Sequence, residues 1–563
     1  MKDFFVKIQK IDPRLMLIGF GVIVYIQTIF NGFVMDDQGL IINNKSVHSI
    51  SNLFNFFRGS IFDYGGNLGG IYYRPMMTTY FSIIYTFFGG FPFFYHFVQL
   101  ILHIANSILL FGLMQNFTKK WSAFFLSLIF LIHPIQVETV SYIAAIQDVL
   151  FVFFGLLFLR KIIHKESAGY RFYIPYLFLL LAAFSKETGF LFIPLSLIYI
   201  LFKKKDLFLK HSLASVGTFL FYLFMRVAVA KITIHATDEF PMMRLSLLER
   251  AISIPEIILY YIKTFFLPLN LVSVQSWVIE KISLDKFFFP IILLSIFFGV
   301  LLYSSIKVAK TKEIKHSLLF FWSWLILGFL LHIQLVPLDL TVSDRWFYFT
   351  IIGILGILGI LYSSLGLEVL LKKKKLLTTF YFCLLIIVGY LSIRSFIRVG
   401  DWRNTKVLAI HDLKIQKDNY QLLSALGAMY LEEKNYSLAS KYSKDSVEIF
   451  PYWGTSYYNL GVAYHMNKNV PQAESAYKRS IENAKVNINA YENLAILYIY
   501  NYPPTVARDY AKNSLKKFPG SAKLWHVLAL AEQKLGNDAA STEAAKMLQM
   551  LTPPSRSAMQ GGI

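Results

Sequence analysis

The chain of 563 residues is 56% hydrophobic, with a mean hydropathy of +0.51 and many nearly uncharged windows of about 20 residues, the length of a membrane-crossing helix. This composition excludes a soluble globular protein and indicates a polytopic membrane protein. The net charge of +21 does not indicate nucleic acid as a partner, because most lysines and arginines form short clusters between apolar segments, as the positive-inside rule predicts.

The first apolar segment, residues 15–30, follows four basic residues and lacks a small-residue cleavage site, so we expect a retained helix. Five later basic clusters should face the cytoplasm with the amino terminus: Lys119-Lys120, Arg160 to Arg171, Lys203 to Lys205, Lys307 to Lys315 and Lys372 to Lys375. About eleven crossings satisfy this pattern: 15–30, 91–115, 121–137, 140–160, 171–184, 188–202, 211–231, 287–307, 317–336, 346–366 and 377–397.

Two further apolar segments would invert this topology if they crossed the membrane. We expect residues 75–88 to lie along the outer surface or to enter the membrane and return. Residues 252–272 contain Pro255 and Pro268, which predict a pair of short interfacial or re-entrant helices. The single cysteine, Cys383, excludes a disulfide framework and a thiolate metal site.

Ionisable residues gather at the predicted outer face. Asp36 and Asp37 follow the first span. Two carboxylates where a membrane helix meets water indicate either an active site or a solvated turn that ends the helix. Asp148 should lie inside the fourth span, where an ionisable group is costly and more often functional. The other candidates stand in the outer connections: Arg74, His133, Glu138, Lys186, Glu187 and Arg345.

From Asp401 onward the sequence is polar and repetitive. Small residues recur at a spacing of 34 residues: Gly427, Gly461, Ala495 and Ala529. This period resembles tetratricopeptide repeats, in which small residues let paired helices approach closely; a generic helical bundle is the alternative. The sequence therefore predicts an all-α chain, with a membrane helix bundle at 1–400 and an α-solenoid of three to four repeats at 401–563.

A set of motifs carries a resemblance over nearly the whole chain: Phe33-Val34-Met35-Asp36-Asp37 with Ile42 and Asn43, Tyr73-Arg74-Pro75, His96, His103, His133-Pro134 with Val137-Glu138, Ser185-Lys186-Glu187, and Asp344-Arg345 with Tyr348. In their order, these resemble the transmembrane and tetratricopeptide-repeat O-mannosyltransferases, a branch of the fold class C (GT-C) glycosyltransferases. The chain departs from that pattern at Ala145-Ile146-Gln147-Asp148, where relatives usually carry a Gly-Arg-x-Asp-like run.

The resemblance implies inverting transfer of a sugar, mannose in the family's name, from a dolichyl- or undecaprenyl-type polyprenyl-phosphate carrier to a protein hydroxyl outside the cytoplasm. Asp36 would be the general base that takes the proton of the acceptor, and Asp37 would orient either Asp36 or the acceptor. Arg74, Lys186 and Arg345 would bind the leaving phosphate. Because this leaving group is already activated, we expect no nucleotide and no redox cofactor.

Each residue also has a structural alternative. Arg74 could extend to lipid headgroups, Lys186 could pair with Glu187, and Asp344-Arg345 could cap a helix. His133 and Glu138 could bind a divalent cation beside Asp36, so that Asp36 and Glu138 are the candidate metal ligands; a structural role for His133 is the other interpretation.

Two other function classes remain open at this stage. A transporter or lipid flippase should show related halves with interrupted helices, and a membrane-anchored scaffold would need only one span. We expect the repeats to recruit the acceptor polypeptide, with Tyr457, Tyr491 and Trp525 either lining their concave surface or packing in the core. The Lys-, Ile- and Phe-rich bias favours a bacterial inner membrane protein whose repeats lie in the periplasm.

The odd number of crossings generates the first testable prediction. A reporter enzyme fused after Ile563 should be active only when it functions outside the cytoplasm, because eleven spans carry the carboxyl terminus across the membrane. Paired fusions of a cytoplasmic and a periplasmic reporter would measure this. Activity of the cytoplasmic reporter would show that the topology is wrong.

Overall fold

The computed structural model of the protein describes residues 11–61, 72–164, 169–232, 240–364, 374–484 and 487–552. Over these ranges the chain is helical, and the one strand-like pairing is an isolated antiparallel bridge between Gln275 and Val342. The chain divides into two compact units, residues 1–417 and 418–563. The predicted all-α fold is therefore confirmed.

The α-helices described in the first unit are α1 (Pro13–Tyr25), α2 (Leu53–Phe56), α3 (Pro75–Phe88), α4 (Pro92–Met114), α5 (Lys120–Ile132), α6 (Val137–Ser141), α7 (Ile146–Ile163), α8 (Ile174–Ser185), α9 (Phe192–Lys203), α10 (Phe208–Leu223), α11 (Leu247–Phe266), α12 (Phe289–Val308), α13 (Lys312–Leu330), α14 (Phe347–Ser364), α15 (Lys374–Asp401) and α16 (Thr405–Ile415). Short 3₁₀ turns extend or connect several of them. Two of these turns carry candidate site residues, Glu187–Leu191 and Asp344–Trp346, and a third, Ile143–Ala145, contacts the loop of Asp37.

Eight helical segments in the described part of the chain are long and apolar enough to cross a membrane. A ninth is obtained if α5 and the segment Pro134–Ser141, bent by 50° to each other, form one span. The helix Gly169–Ser185 is shorter. The predicted count of about eleven spans is not confirmed.

The bend after α5 follows from its sequence. Proline disfavours helical geometry in the residue before it and lacks the N–H that would continue the helix. His133 accordingly has extended backbone angles (φ −69°, ψ 131°) ahead of Pro134. The turn redirects the chain so that α6 runs on at an angle to α5.

The prediction of two short helices in residues 252–272 is wrong. The structure has one helix, α11, which starts at a capping box formed by Ser246 and Glu249 and continues through Pro255 to Phe266. A proline inside a helix removes a single hydrogen bond, here the one to the Ala251 carbonyl, and this loss need not end the helix when the flanking turns are packed. The helix ends at Phe266, two residues before Pro268, because a proline disfavours helical geometry in the residue before it, here Leu267.

Small residues set the closest helix contacts of the bundle. On α14, a Cβ at Gly353 would lie 2.6 Å from the backbone nitrogen of Leu325 on α13. On α7, a Cβ at Gly155 would overlap the ring of Phe192. Glycine at these positions allows neighbouring helices to approach with almost no gap, as is common in membrane bundles.

In its described residues, the second unit contains four helix pairs: α17 (Tyr420–Glu432) with α18 (Tyr436–Ile449), α19 (Gly454–Met466) with α20 (Val470–Asn483), α21 (Ile488–Asn501) with α22 (Pro504–Lys517), and α23 (Ala522–Lys534) with α24 (Asp538–Leu551). Gly427 faces Ser443 and Gly461 faces the ring of Tyr477 within their pairs. Asn435 and Asn469 cap the second helices through side-chain hydrogen bonds, as asparagine favours. The predicted tetratricopeptide-like architecture is confirmed.

Helix α16 belongs to the first unit, although the predicted domain boundary at 400/401 precedes it. Arg398 on α15 donates to both carboxylate oxygens of Asp412 on α16, at 2.7 and 3.2 Å. Asp412 also accepts the backbone N–H of Ser273 at 2.7 Å. Burial acts to raise the pKa of Asp412, but Arg398 lowers it to about 2.

The contact at Gly353 generates the second prediction. Gly353→Ala places a methyl group against the Leu325 backbone, which cannot move away without moving α13. We therefore expect the free energy of unfolding to fall by about 1–3 kcal/mol. Thermal unfolding of the purified protein in detergent would measure this. Gly389→Ala on α15 is the matched control, because a Cβ there meets nothing within 4 Å. Equal midpoints for the two variants would contradict the prediction.

Candidate active site

The loop after the first span is fixed at several backbone positions. Asn31 donates its side-chain amide to the Val399 carbonyl at 3.1 Å, and the N–H of Gly32 donates to the Arg403 carbonyl at 2.9 Å. Met35 has a left-handed backbone (φ 51°), and its N–H donates to the Thr405 hydroxyl at 2.9 Å. These contacts hold the loop backbone in place up to Asp36.

Asp37 is fully buried and pairs with backbone on both sides. Its Oδ2 accepts the Val34 N–H at 2.9 Å, and its Oδ1 accepts the Ala144 N–H at 2.8 Å. Burial raises the pKa of Asp37 to about 8, although these two N–H donors lower it. With both oxygens engaged, Asp37 ties its own loop to the 3₁₀ turn Ile143–Ala145, which fits the expected orienting role.

Asp36 points the other way and remains accessible to solvent. Its Oδ2 accepts the hydroxyl proton of Tyr142 at 2.9 Å. Within the described residues, Oδ1 has no hydrogen-bond partner. The protein around Asp36 displaces enough water to raise the pKa of its carboxyl, whereas the Tyr142 hydroxyl and the charge of Arg345 act to lower it.

Tyr142 contacts both Asp36 and Arg345. The guanidinium carbon of Arg345 lies 5.4 Å from the centroid of the Tyr142 ring, within the range of a cation–π contact. The Tyr142 ring also stacks against Trp402, with 5.6 Å between centroids. Asp36 and Arg345, which are far apart in the sequence, therefore meet around one aromatic ring.

Glu138 holds the turn that carries Arg345. Its carboxylate accepts the Ser343 hydroxyl at 2.8 Å and the Arg345 N–H at 3.2 Å, and it pairs with the Arg345 guanidinium at 3.5 Å. The Nε of Arg345 is buried and has no partner among the described residues. Asp344 accepts the Tyr260 hydroxyl at 2.5 Å, and no side-chain hydrogen bond caps the turn Asp344–Trp346.

Lys186 and Asp148 form a second, buried ion pair, with 2.6 Å between Nζ and Oδ1. Burial lowers the pKa of Lys186, Asp148 raises it, and the positive charges of Arg74 and Arg345 lower it further. Asp148 lies in the first turn of α7, within the candidate membrane span Ile143–Ile163. Its Oδ2 is buried and has no partner within the described ranges.

Arg74 and Glu187 form the third ion pair, at 3.3 Å. The Arg74 guanidinium also lies 4.2 Å from the centroid of the Tyr72 ring, and Arg226 reaches the other oxygen of Glu187 at 3.4 Å. Burial acts to raise the pKa of Glu187, but Arg74 and Arg226 bring it below its ordinary value.

These contacts exclude two structural alternatives. Lys186 and Glu187 do not pair with each other, because their side chains turn to Asp148 and Arg74. Arg74 does not extend to lipid headgroups, since only 11% of its side chain is exposed.

His133 lies outside this set of contacts. Its Nδ1 accepts the Ile135 N–H at 3.2 Å, so its Nε2 carries the proton and donates to the Phe265 carbonyl at 2.9 Å. Its ring also stacks on that of Phe265. His96 and His103 are buried in the bundle, and His103 bonds to Tyr348 and the Leu131 carbonyl. Across the described residues, no group of three or more His, Cys, Asp or Glu could hold a metal ion.

The structure thus brings together most of the predicted site. Asp36 and Arg345 both contact Tyr142, and Glu138 forms an ion pair with Arg345. The positive charges of Arg74 and Arg345 lower the pKa of Lys186. Sequence reasoning missed Tyr142, Trp402, Ser343 and Arg226. Tyr142 stands four residues after Glu138, one helical turn further on, and this spacing on a short polar helix could have revealed it.

Known proteins resemble the chain over most of its length. Protein O-mannosyl-transferase TMTC3 of Homo sapiens is 22% identical and aligns with 86% of this chain and 58% of its own length. The mouse (Mus musculus) protein of the same name is 22% identical over 84% of this chain and 56% of its own. Protein O-mannosyl-transferase tmtc2 of Xenopus laevis is 30% identical over 34% of this chain and 24% of its own. The predicted resemblance is confirmed.

The chain spans a little over half the length of the first two of these relatives. No family model matches it. Among solved structures, that of the MamA protein is 21% identical and covers 29% of this chain and 88% of its own, with a TM-score of 0.25.

The two adjacent aspartates generate the third prediction. Asp37→Asn replaces one acceptor oxygen by an amide NH₂ group that faces a backbone N–H. Because this leaves a buried donor unpaired, we expect the free energy of unfolding to fall by about 1–3 kcal/mol. Asp36→Asn is the matched control, since its amide oxygen can still accept the Tyr142 hydroxyl. Thermal unfolding of both variants would compare them; a larger loss at Asp36 would contradict the assignment of Asp37 as the structural member.

Proposed function

We propose that the protein is a membrane glycosyltransferase that moves a sugar, mannose by analogy with the relatives' names, from a polyprenyl-phosphate carrier of the dolichyl or undecaprenyl type to a hydroxyl of an acceptor polypeptide. Transfer takes place on the non-cytoplasmic side and inverts the anomeric carbon. The relatives' names support the transferase class. The observation that carries the proposal is the meeting of Asp36 and Arg345 around Tyr142.

In this mechanism Asp36 is the general base. An alcohol is a weak nucleophile at neutral pH, and a carboxylate within hydrogen-bond reach assists by taking its proton. The Oδ1 of Asp36 has no partner among the described residues and is open to the acceptor, while Tyr142 fixes Oδ2. A pKa raised by the surrounding protein makes this carboxylate a stronger base than a solvated aspartate.

Arg345 stabilises the leaving phosphate. As the acceptor oxygen bonds to the anomeric carbon, the bond from that carbon to the phosphate oxygen breaks, and its electron pair remains on the phosphate. The buried Nε of Arg345 is a donor without a partner in the described residues, so it can bond to the new anion without first breaking the pair with Glu138. Lys186 and Arg74 add positive potential while they remain paired with Asp148 and Glu187.

The residues do not fit a divalent cation held by Asp36 and Glu138. Both oxygens of Glu138 are engaged by Ser343 and Arg345, and His133 is satisfied by backbone. No step of the proposed mechanism uses a metal ion. It also needs no nucleotide and no redox cofactor, because the polyprenyl phosphate is an activated leaving group.

The second unit recruits the acceptor polypeptide in this proposal. Stacked helix pairs form concave surfaces that suit extended segments of a partner. Tyr457 is buried, whereas Tyr491 and Trp525 are half-buried, which leaves only the last two available to a partner. A bacterial inner membrane with this unit in the periplasm is the proposed location.

The fourth prediction tests the base. Asp36→Asn should lower sugar transfer by about 10²- to 10⁴-fold without changing the yield of folded protein. Release of labelled sugar from a polyprenyl-phosphate donor by the protein in proteoliposomes would measure this. Asp206→Asn, an exposed carboxylate in the connection between α9 and α10, is the matched control. Unchanged turnover in Asp36→Asn would reject the assignment of the base.

A further inference from the structure

A cavity of about 960 Å³ lies beside the candidate active site and shares Tyr260 with it. It is bordered by α11, the non-helical segment 275–283, the turn Leu284–Phe288 and the start of α12, and it is open on one side. Its volume falls at the upper end of the range of ligand pockets, about 300–1,000 Å³. Leu259, Phe266, Val278 and Phe289 supply apolar surface within it.

A chain of hydrogen bonds connects the floor of the cavity to the turn that carries Arg345. The indole N–H of Trp277 donates to the Gln275 side-chain carbonyl at 3.2 Å, and the amide of Gln275 donates to the Tyr260 hydroxyl at 2.7 Å. Tyr260 in turn donates to Asp344 at 2.5 Å. Asp344 is the neighbour of Arg345, so an occupant of the cavity lies one tyrosine away from the candidate active site.

One wall of the cavity offers unpaired backbone. The antiparallel bridge between Gln275 and Val342 ends after one residue pair. Beyond it, Val278, Glu280 and Lys281 have no backbone hydrogen bond within the described part of the chain, while Ile279 donates only to the Ser253 hydroxyl. An open backbone edge of this kind can pair with an extended polypeptide.

Charges of both signs surround the cavity: Glu256, Lys263, Glu280, Lys281, Asp285 and Lys286. A polyprenyl chain has no hydrogen-bonding groups, and it would remove water from these charges without replacing the lost bonds. A polypeptide carries a donor and an acceptor at nearly every residue. The lining therefore favours a polypeptide over the lipid part of the donor.

We propose that this cavity holds an extended segment of the acceptor polypeptide, paired with the backbone of residues 278–281 and presenting its hydroxyl toward Asp36 past Tyr260. The inference rests on the proposed transfer reaction and deepens it, since it assigns the acceptor to a place that lies outside the motifs found in the sequence. Apolar side chains of the acceptor fill the surface formed by Leu259 and Phe289.

The test blocks the cavity after folding. In full-length protein with Cys383→Ser, which removes the single native cysteine, Val278→Cys and Leu259→Cys are each labelled with a bulky maleimide in lipid nanodiscs. Leu248→Cys is the matched control, because this residue is on the same helix as Leu259 but is 81% exposed and outside the cavity. The unlabelled form of each variant shows whether the substitution itself has an effect.

Two affinities are measured: that of a fluorescein-labelled, unfolded serine- and threonine-rich peptide, and that of a polyprenyl-phosphate mannose. We expect labelling at Val278→Cys or Leu259→Cys to weaken peptide binding about tenfold or more, with the donor affinity unchanged and no effect at Leu248→Cys. Unchanged peptide affinity would overturn the proposal. Weaker donor binding in its place would also overturn it, because the cavity would then hold the lipid.

Peptide binding is read without turnover, so the two proposals fail separately. If labelling blocks the peptide but the unlabelled protein transfers no sugar from the polyprenyl phosphate, the cavity is a polypeptide site and the proposed transferase function is wrong. If transfer occurs and the label leaves both peptide affinity and transfer unchanged, the function stands and the acceptor site is wrong.

Discussion

The buried contact between Glu138 and the Arg345 turn organises the candidate active site. A buried ion pair recovers its desolvation cost only when further hydrogen bonds satisfy both partners, and here the Ser343 hydroxyl and the Arg345 N–H complete the set around Glu138. Because Glu138 and Tyr142 lie one turn apart, the same contact fixes the distance from Arg345 to the ring that holds Asp36. Removal of either charge would leave the other unpaired inside the protein.

Adjacent residues in this chain take different roles because their side chains face different surroundings. Asp37 is closed in by backbone donors, whereas Asp36 keeps one oxygen open. Lys186 and Glu187 likewise diverge, one toward Asp148 and the other toward Arg74. In the first pair Asp37 fixes the loop while Asp36 stays open, and in the second pair each residue binds a partner of opposite charge from another part of the chain.

The sequence could predict which residues gather, but not how they pair. Apolar segments and basic clusters place Asp36, Arg74, Glu138, Lys186 and Arg345 in connections at one face, and the 34-residue spacing of Gly427 and Gly461 predicts the helix pairs. Pairing depends on side-chain directions that spacing does not specify, so Tyr142 was missed and the partners of Lys186 were not foreseen. Pro255 predicts a break in α11 that the structure does not have, because the sequence alone does not show how the turns on either side of a proline are packed.

The 50° bend between α5 and the next segment has a consequence for how this region can evolve. Its direction comes from the ring of Pro134 and the extended backbone of His133, both covalent or backbone properties. Lipid-facing side chains nearby could therefore drift, or the bilayer change in thickness, while the angle at which Glu138 and Tyr142 are presented is inherited intact. The covalent geometry at His133 and Pro134 sets the direction in which the chain leaves α5, and the buried partners of Glu138 keep the following residues there.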